Sequence, residues 1–174
     1  METVTRLESK NLNDGVPSFW NDELQMTVIE TASIRQLDDL YVIEKECFET
    51  EAFSKPQIAS LLTEYNAVSL VAREEGKIAG FIIGTVFFQK DGLTGHILTI
   101  DVKPVFRRKG IGAQLLMAME KLFKEKGVQT CCLEAREDNT TAIELYLKLG
   151  YSKVGRLRNY YGNAHGIHLK KPLA

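Results

Sequence analysis

The chain has 174 residues, which suits one domain with a sizeable core and is too short for two ordinary domains. Apolar residues make up 44% and charged residues 26%, and 22 Lys and Arg against 23 Asp and Glu leave a net charge of -1. This charge balance excludes a protein that binds nucleic acids or membrane surfaces through its overall charge, and only a local basic patch could bind either. We therefore expect neither a nucleic acid nor a membrane as partner.

The first 25 residues differ from the rest of the chain in composition. Residues 9–22 mix turn-forming residues without any period, and the segment before them is polar, unlike a signal or transit peptide. We therefore expect an N-terminal extension over residues 1–25, disordered or loosely docked through Phe19 and Trp20. The folded domain is expected over residues 26–174, in a cytoplasmic protein.

From residue 26 onward, periodicity and turn residues predict a regular series of elements. The series comprises a strand over 27–31, a helix from residue 33 or 34 to about 48, a helix from 54 to 62, strands over 67–73, 78–89 and 94–102, a helix over about 110–126, a strand over 128–135, a helix from 139 or 140 to 149, and strands over 151–157 and 167–171. This order predicts an α/β or α+β domain with a mixed sheet. The strand over 78–89 is apolar on both faces and is expected near the centre of the sheet.

The three cysteines do not describe a disulfide framework, because their number is odd and Cys131 and Cys132 are adjacent. We expect all three, Cys47 included, to be small buried side chains in a reducing compartment. His96, His165 and His168 have no cysteine or carboxylate at zinc-binding spacing, so we expect no metal.

Residues 107–112, Arg-Arg-Lys-Gly-Ile-Gly, follow a predicted strand and open a predicted helix. Glycines there allow a tight loop whose N–H groups converge, and the helix dipole adds partial positive charge. Such a loop is suited to a pyrophosphate. The segment is not a P-loop, which needs GxxxxGK followed by Ser or Thr, and it lacks the third glycine of a dinucleotide fingerprint. A purely structural role for the glycines, in close strand–helix packing, remains the alternative.

With its flanks, this loop resembles the GNAT N-acyltransferases, and among them the protein N-terminal acetyltransferases of RimI type and the archaeal relatives of the NatA catalytic subunit. The matching segments are DLYVIEKECF (39–48), HILTIDV (96–102), RRKGIGAQLL (107–116), LEAREDN (133–139), AIELYLKLGY (142–151) and RNYY (158–161). The resemblance runs from about Thr27 to Leu169. It implies a mixed, mostly antiparallel sheet with a splayed central pair of strands and flanking helices.

The resemblance implies acetyl-CoA as cosubstrate, with the pantetheine arm paired along a strand and the pyrophosphate on the glycine loop. The implied coenzyme contacts are Ile100, Asp101, Val102, Arg107, Arg108, Lys109, Gly110, Ile111, Gly112, Ala113, Asn139 and Tyr146. A backbone N–H on this strand would stabilise the developing oxyanion.

The resemblance also implies catalytic roles for Glu134, as general base through a water, and for Tyr146, twelve residues later, as the acid that protonates the leaving thiolate. His96 would hold the same water. We expect a raised pKa for Glu134 on its buried strand. Each has a structural alternative: a pairing of Glu134 with Arg136 or Arg107, a core position for Tyr146, and solvent exposure for His96.

The residues expected to bind the substrate match the family pattern less closely than those expected to bind the coenzyme. Tyr160 and Tyr161 match the loop that closes over the substrate N-terminus, although they could be ordinary strand aromatics. Phe48 and Glu51 lie where the family shapes the first-residue pocket. Here the usual proline and tryptophan are missing, and the acidic contact could come from Glu49 or Glu51.

The leading hypothesis is therefore a protein Nα-acetyltransferase, acting as a monomer or homodimer on a protein or peptide N-terminus such as that of a ribosomal protein. Two alternatives stay open at this point. One is an acetyltransferase for a small amine or a lysine side chain, and the other is a non-catalytic acyl-CoA-binding module.

Overall fold

A computed structural model describes residues 27–48 and 50–173, which fold around a seven-stranded mixed sheet. The predicted N-terminal extension and Glu49 lie outside the described residues. The helices are α1 (Leu37–Cys47), α2 (Lys55–Thr63), α3 (Ile111–Glu125) and α4 (Thr140–Lys148). The strands are β1 (Val28–Thr31), β2 (Ala67–Glu74), β3 (Lys77–Gln89), β4 (Gly92–Val102), β5 (Thr130–Arg136), β6 (Ser152–Leu157) and β7 (Gly166–Pro172).

The order and type of these elements follow the sequence prediction, and their bounds differ by about two residues or fewer except at α1, which was predicted from residue 33 or 34 and begins at Leu37. The structure adds two short 3-10 turns, Ile34–Gln36 before α1 and Pro104–Phe106 after β4. Pro104 has no N–H to donate, so the strand ends and the chain turns toward α3.

The sheet order is β1-β2-β3-β4-β5-β7-β6, and within it β4 and β5 form the parallel pair. Their ladder joins residues 94–97 to residues 130–133 and stops there, although β4 continues to Val102 and β5 to Arg136. Pairing of β4 with β3 also shifts at Leu98, where a bulge turns the strand. The two strands therefore part toward their C-terminal ends, which confirms the splayed central pair.

Both faces of the sheet are covered by helices. On one face, α3 buries the predicted stripe that includes Leu115, Met119 and Phe123 against the sheet. On the other face, α1 and α2 bury Leu40 and Ile58. The sheet is therefore the middle layer, and the gap between β4 and β5 opens inside a rigid frame.

The three cysteines are free thiols, as predicted, with Cys131 and Cys132 buried and Cys47 partly buried. Burial raises the pKa of Cys131 to about 12, although the Tyr151 hydroxyl donates to its sulfur at 3.1 Å. No helix in the described stretches is long and apolar enough to cross a membrane.

Replacing Gly95 with alanine is expected to destabilise the fold. A Cβ at Gly95 would lie 2.3 Å from two ring carbons of Phe123, which lies on α3 and is fully buried against the sheet. Because overpacking of this kind costs about 1–3 kcal/mol, the free energy of unfolding should fall by that amount in urea titrations. Gly155→Ala is the matched control, since its nearest contact would be His168 Cβ at 4.0 Å. Equal midpoints for the two variants would contradict the prediction.

Candidate active site

Two adjoining cavities lie where β4 and β5 part. The larger, about 650 Å³, is bounded by the end of β4, the loop before α3, the first turn of α3, and α4. The smaller, about 300 Å³, lies beside β5 and the loop after β6. Five residues line both cavities: Phe48, Ile100, Asn139, Ala142 and Tyr146. We call the larger the donor cavity and the smaller the acceptor cavity.

The loop before α3 gives the donor cavity an anion site. Arg108 and Gly110 have φ values of 67° and 77°, left-handed conformations that turn the chain sharply into the helix. Gly110 is the N-cap and has no side chain to cap α3, so the N–H groups of residues 111–113 stay available. A Cβ at Gly110 would meet nothing within 4 Å, so the loop is open above these groups. The converging N–H groups and the helix dipole fit a pyrophosphate.

The cations of this loop lie in different places. Arg107 and Arg108 line the donor cavity, but Lys109 does not, and its ammonium lies 5.5 Å from the centre of the Phe106 ring. Arg107 Nε donates to the Val102 carbonyl at 3.0 Å, which ties the guanidinium to the end of β4. The structure therefore brings eleven of the twelve expected coenzyme residues to the donor cavity, and Lys109 is the one that does not line it.

Asn139 is fixed as the N-cap of α4, where its Oδ1 accepts from Ala142 N at 3.2 Å. Its Nδ2 lies free to donate into the cavities that it lines. Asp101 lines the donor cavity as well, but its carboxyl group is buried, and its Oδ2 lies 3.0 Å from the Thr99 hydroxyl. A coenzyme contact of Asp101 would therefore come from its backbone.

Tyr146 lies at the junction of the two cavities with only 6% of its surface exposed. Its ring packs edge-on against Tyr151 at 6.0 Å, and within the described residues its hydroxyl makes no hydrogen bond. Burial raises the pKa of Tyr146 above its ordinary value. The phenol therefore stays protonated at neutral pH and is a proton donor at the point where the cavities meet.

Glu134 and His96 face each other in the acceptor cavity, with 2.6 Å between Glu134 Oε2 and His96 Nε2. Burial raises the pKa of Glu134, but the hydrogen bond and charge of His96, with the charge of His168, outweigh burial and lower it. The expectation of a raised pKa is therefore wrong, because the sequence could not show these two imidazoles.

An ionised Glu134 can only accept, so His96 Nε2 donates the hydrogen bond. The neutral His96 ring then carries its free acceptor at Nδ1, which makes no hydrogen bond within the described residues. Among the described residues, Glu134 pairs with neither of the arginines considered as its alternative partners. Arg136 binds Asp138 and Glu51, and Arg107 binds the backbone at the end of β4. The carboxylate and imidazole thus form a proton-accepting pair.

His168 is a residue of this site that the sequence analysis missed. It lies opposite Glu134 in the β5–β7 register, and its Nε2 is 3.7 Å from Glu134 Oε1. The pKa of His168 is lowered, because burial outweighs the charge of Glu134, which acts to raise it. Its role depends on the pairing of two strands more than thirty residues apart, which no local pattern reveals. In the described part of the chain, no group of three His, Cys, Asp or Glu side chains is arranged to hold a metal.

Aromatic side chains form much of the rest of the acceptor cavity. Tyr160 and Tyr161 pack edge-on at 5.0 Å, and Phe48 and Phe53 come from the loop after α1. Burial raises the pKa of Tyr161 to about 12. The four predicted substrate residues, including Glu51, are therefore brought to one cavity.

Glu51 does not face the acceptor cavity as a free carboxylate. It is ion-paired with Arg136, whose guanidinium also binds Asp138 at 2.9 Å and lies 6.0 Å from the centre of the Tyr161 ring. The pair joins the loop after α1 to the end of β5 across the cavity. Glu49, the other acidic candidate, is outside the described residues.

Comparison with known proteins gives one consistent group. Residues 32–151 match the model of the acetyltransferase (GNAT) family. An N-alpha-acetyltransferase of Sulfurisphaera tokodaii is 36% identical over 117 residues, which cover 62% of this chain and 70% of that protein. The crystal structure of Ard1 from Thermoplasma volcanium has a TM-score of 0.77 at 27% identity, covering 85% of this chain and 98% of that one. The crystal structure of the ribosomal-protein-S18-alanine N-acetyltransferase from Escherichia coli has a TM-score of 0.76 at 27% identity, with 86% and 95% covered.

Proposed function

We propose that this chain, which belongs to the acetyltransferase (GNAT) family, transfers the acetyl group of acetyl-CoA to the α-amino group of protein N-termini. The family makes it an acyltransferase dependent on acetyl-CoA. The main support for an α-amino group as acceptor is the Glu134–His96 pair. The two side chains are 2.6 Å apart in a cavity that shares Tyr146 with the donor cavity. Relatives named N-alpha-acetyltransferase support the same acceptor.

The pair suits an α-amine because attack requires the neutral form. A free α-amino group has a pKa near 7.7–8, so roughly a fifth to a third is already neutral at pH 7.4. A lysine side chain, with a pKa near 10.4, is three units away and costs about 4 kcal/mol to deprotonate. A carboxylate with a lowered pKa is a weak base, so the geometry favours the amine that gives up its proton easily.

On the donor side, the coenzyme would lie with its pyrophosphate on the first turn of α3 and its pantetheine arm along the splayed end of β4. The N–H groups of residues 111–113 and the side chain of Arg108 would hold the phosphates. Asn139 would hold the arm beside α4. Bound there, acetyl-CoA supplies an activated acyl group as a thioester.

The residues then have defined proton roles. His96 Nδ1, through one water, accepts the proton of the attacking amine, and Glu134 stabilises the resulting charge on the imidazole. Tyr146 Oη, protonated at neutral pH and placed where the two cavities meet, donates its proton to the departing sulfur as the C–S bond breaks. Because the amine attacks the thioester directly, no cysteine nucleophile is needed.

The test is an acetyl-CoA turnover assay on short peptides that vary the first two residues. Matched peptides with a blocked N-terminus and one free lysine, and a set of small polyamines, complete the panel. We expect turnover on free N-termini and none on the blocked peptides. Turnover on lysine or polyamines alone would overturn the proposed acceptor, and coenzyme binding without any turnover would overturn the proposed reaction.

A further inference from the structure

A buried pair of carboxylates lies in the walls of the two cavities, with Asp101 in the donor cavity and Glu44 in the acceptor cavity. Glu44 on α1 and Asp101 on β4 are 1% and 2% exposed, and the hydroxyl of Thr99 lies between them. Thr99 Oγ1 is 3.0 Å from Asp101 Oδ2 and 3.3 Å from Glu44 Oε2. The proposed reaction uses none of these three side chains.

The hydrogen-bond inventory requires an extra proton here. A threonine hydroxyl has one hydrogen, so it can donate to one carboxylate and must turn a lone pair toward the other. Two ionised carboxylates would leave that second contact repulsive and would bury two like charges. A proton on Asp101 Oδ2 removes both problems, because Asp101 then donates to Thr99 and Thr99 donates to Glu44.

Asp101 is the carboxylate that the surroundings leave uncompensated. Its Oδ1 is buried without a hydrogen-bond partner, whereas Glu44 Oε1 accepts from Phe53 N at 2.8 Å. An unpaired carbonyl oxygen costs far less to bury than an unpaired half of a carboxylate. Burial and then the charge of Glu44 raise the pKa of Asp101 well above its ordinary range.

The resulting chain of hydrogen bonds joins the two sides of the site. Asp101 lies in the strand that lines the donor cavity, and Glu44 holds the backbone of Phe53, in the loop that lines the acceptor cavity. Three other titratable groups face Asp101 or its neighbours: Cys47, Arg107 and Tyr146. A neutral Asp101 also keeps a negative charge away from the Tyr146 hydroxyl.

We propose that Asp101 carries a proton in the working enzyme and that Asp101, Thr99 and Glu44 act as one positioning unit that ties the acceptor loop to the donor strand. The unit does not touch the reacting atoms. Its kinetic consequence rests on the proposed function, whereas its protonation state does not.

Infrared difference spectroscopy tests the proton directly. We expect the carbonyl stretch of a protonated carboxylic acid at neutral pH in the wild-type protein, and its loss in Asp101→Asn. Glu44→Gln should keep the band, because burial, the larger cause of the raised Asp101 pKa, still holds the proton on Asp101. A wild-type spectrum without the band, a band that survives in Asp101→Asn, or a band that Glu44→Gln removes, which would place the proton on Glu44, overturns the proposal.

The positioning role is tested at Thr99 with the acceptor that the peptide panel identifies, or with any amine that is turned over. Thr99→Val keeps the shape of the side chain but breaks the chain of hydrogen bonds between Asp101 and Glu44. KM for the acceptor should therefore rise about 5- to 10-fold, with little change in KM for acetyl-CoA. Thr99→Ser restores the hydroxyl and should restore KM. Equal losses in Val and Ser variants would mean a structural effect and would overturn the role. If the peptide panel shows no turnover, the proposed function fails, but the infrared measurement still tests the protonation of Asp101.

Discussion

Replacing Glu134 with glutamine is expected to lower kcat about 1,000-fold while leaving acetyl-CoA binding unchanged. The amide keeps the shape of the side chain but removes the negative charge that stabilises a protonated His96, at present 2.6 Å away. Loss of a positioned acid–base partner costs about 10²–10⁴ in rate. Glu134 lines the acceptor cavity and not the donor cavity, so its replacement should not change the affinity for acetyl-CoA. Steady-state turnover and calorimetric titration with acetyl-CoA measure the two effects separately.

Glu137→Gln is the matched control for this change. Glu137 lies three residues further along the same segment, but its carboxylate binds Arg156 at 2.7 Å and lines neither cavity. Its replacement should leave kcat within about twofold. A Glu134→Gln enzyme with unchanged turnover would show that Glu134 does not stabilise a charged His96 in the reaction.

The lowered pKa of Glu134 also sets the expected pH profile. A carboxylate whose pKa is already below its ordinary value is fully ionised at every pH where an α-amine begins to lose its proton. Glu134 therefore adds no limb of its own in that range, and deprotonation of the substrate amine should contribute a rise of kcat/KM with pH. Peptides with less basic N-termini should move that rise to lower pH by the difference in their amine pKa values. A profile in which no part moves across such peptides would contradict this reasoning.

The parts of the protein that the sequence predicted are those encoded by residues close together in the chain. The apolar stripe of α3 and the glycine loop before it are local patterns, so their positions followed from spacing alone. The gap between β4 and β5 was implied by family resemblance, and its physical origin is a parallel ladder that stops after residue 97, beside a bulge.

The parts that the sequence missed depend on contacts between distant segments. His168 reaches Glu134 through the register of β5 and β7, and Glu44 reaches Asp101 through the packing of α1 on β4. The direction of the Glu134 pKa shift was wrong for the same reason, since burial can be read from a pattern while a neighbouring imidazole cannot.

Replacing Tyr146 with phenylalanine is expected to lower kcat about 100-fold, because the departing thiolate then has no buried phenol to protonate it. The ring that packs against Tyr151 is retained, so the fold and the coenzyme affinity should be preserved. Turnover with saturating acetyl-CoA measures the loss. Tyr151→Phe is the control, since that hydroxyl donates to Cys131 and lines neither cavity.

The selenoester analogue of acetyl-CoA separates this role from a packing role. A selenol is a stronger acid than a thiol and leaves readily without a proton, so general-acid catalysis matters less for its departure. If Tyr146 acts as the acid, the loss in the phenylalanine variant should shrink several-fold with the analogue. A loss of the same size with both donors would assign Tyr146 to positioning the thioester, and the leaving sulfur would then depart as the free thiolate.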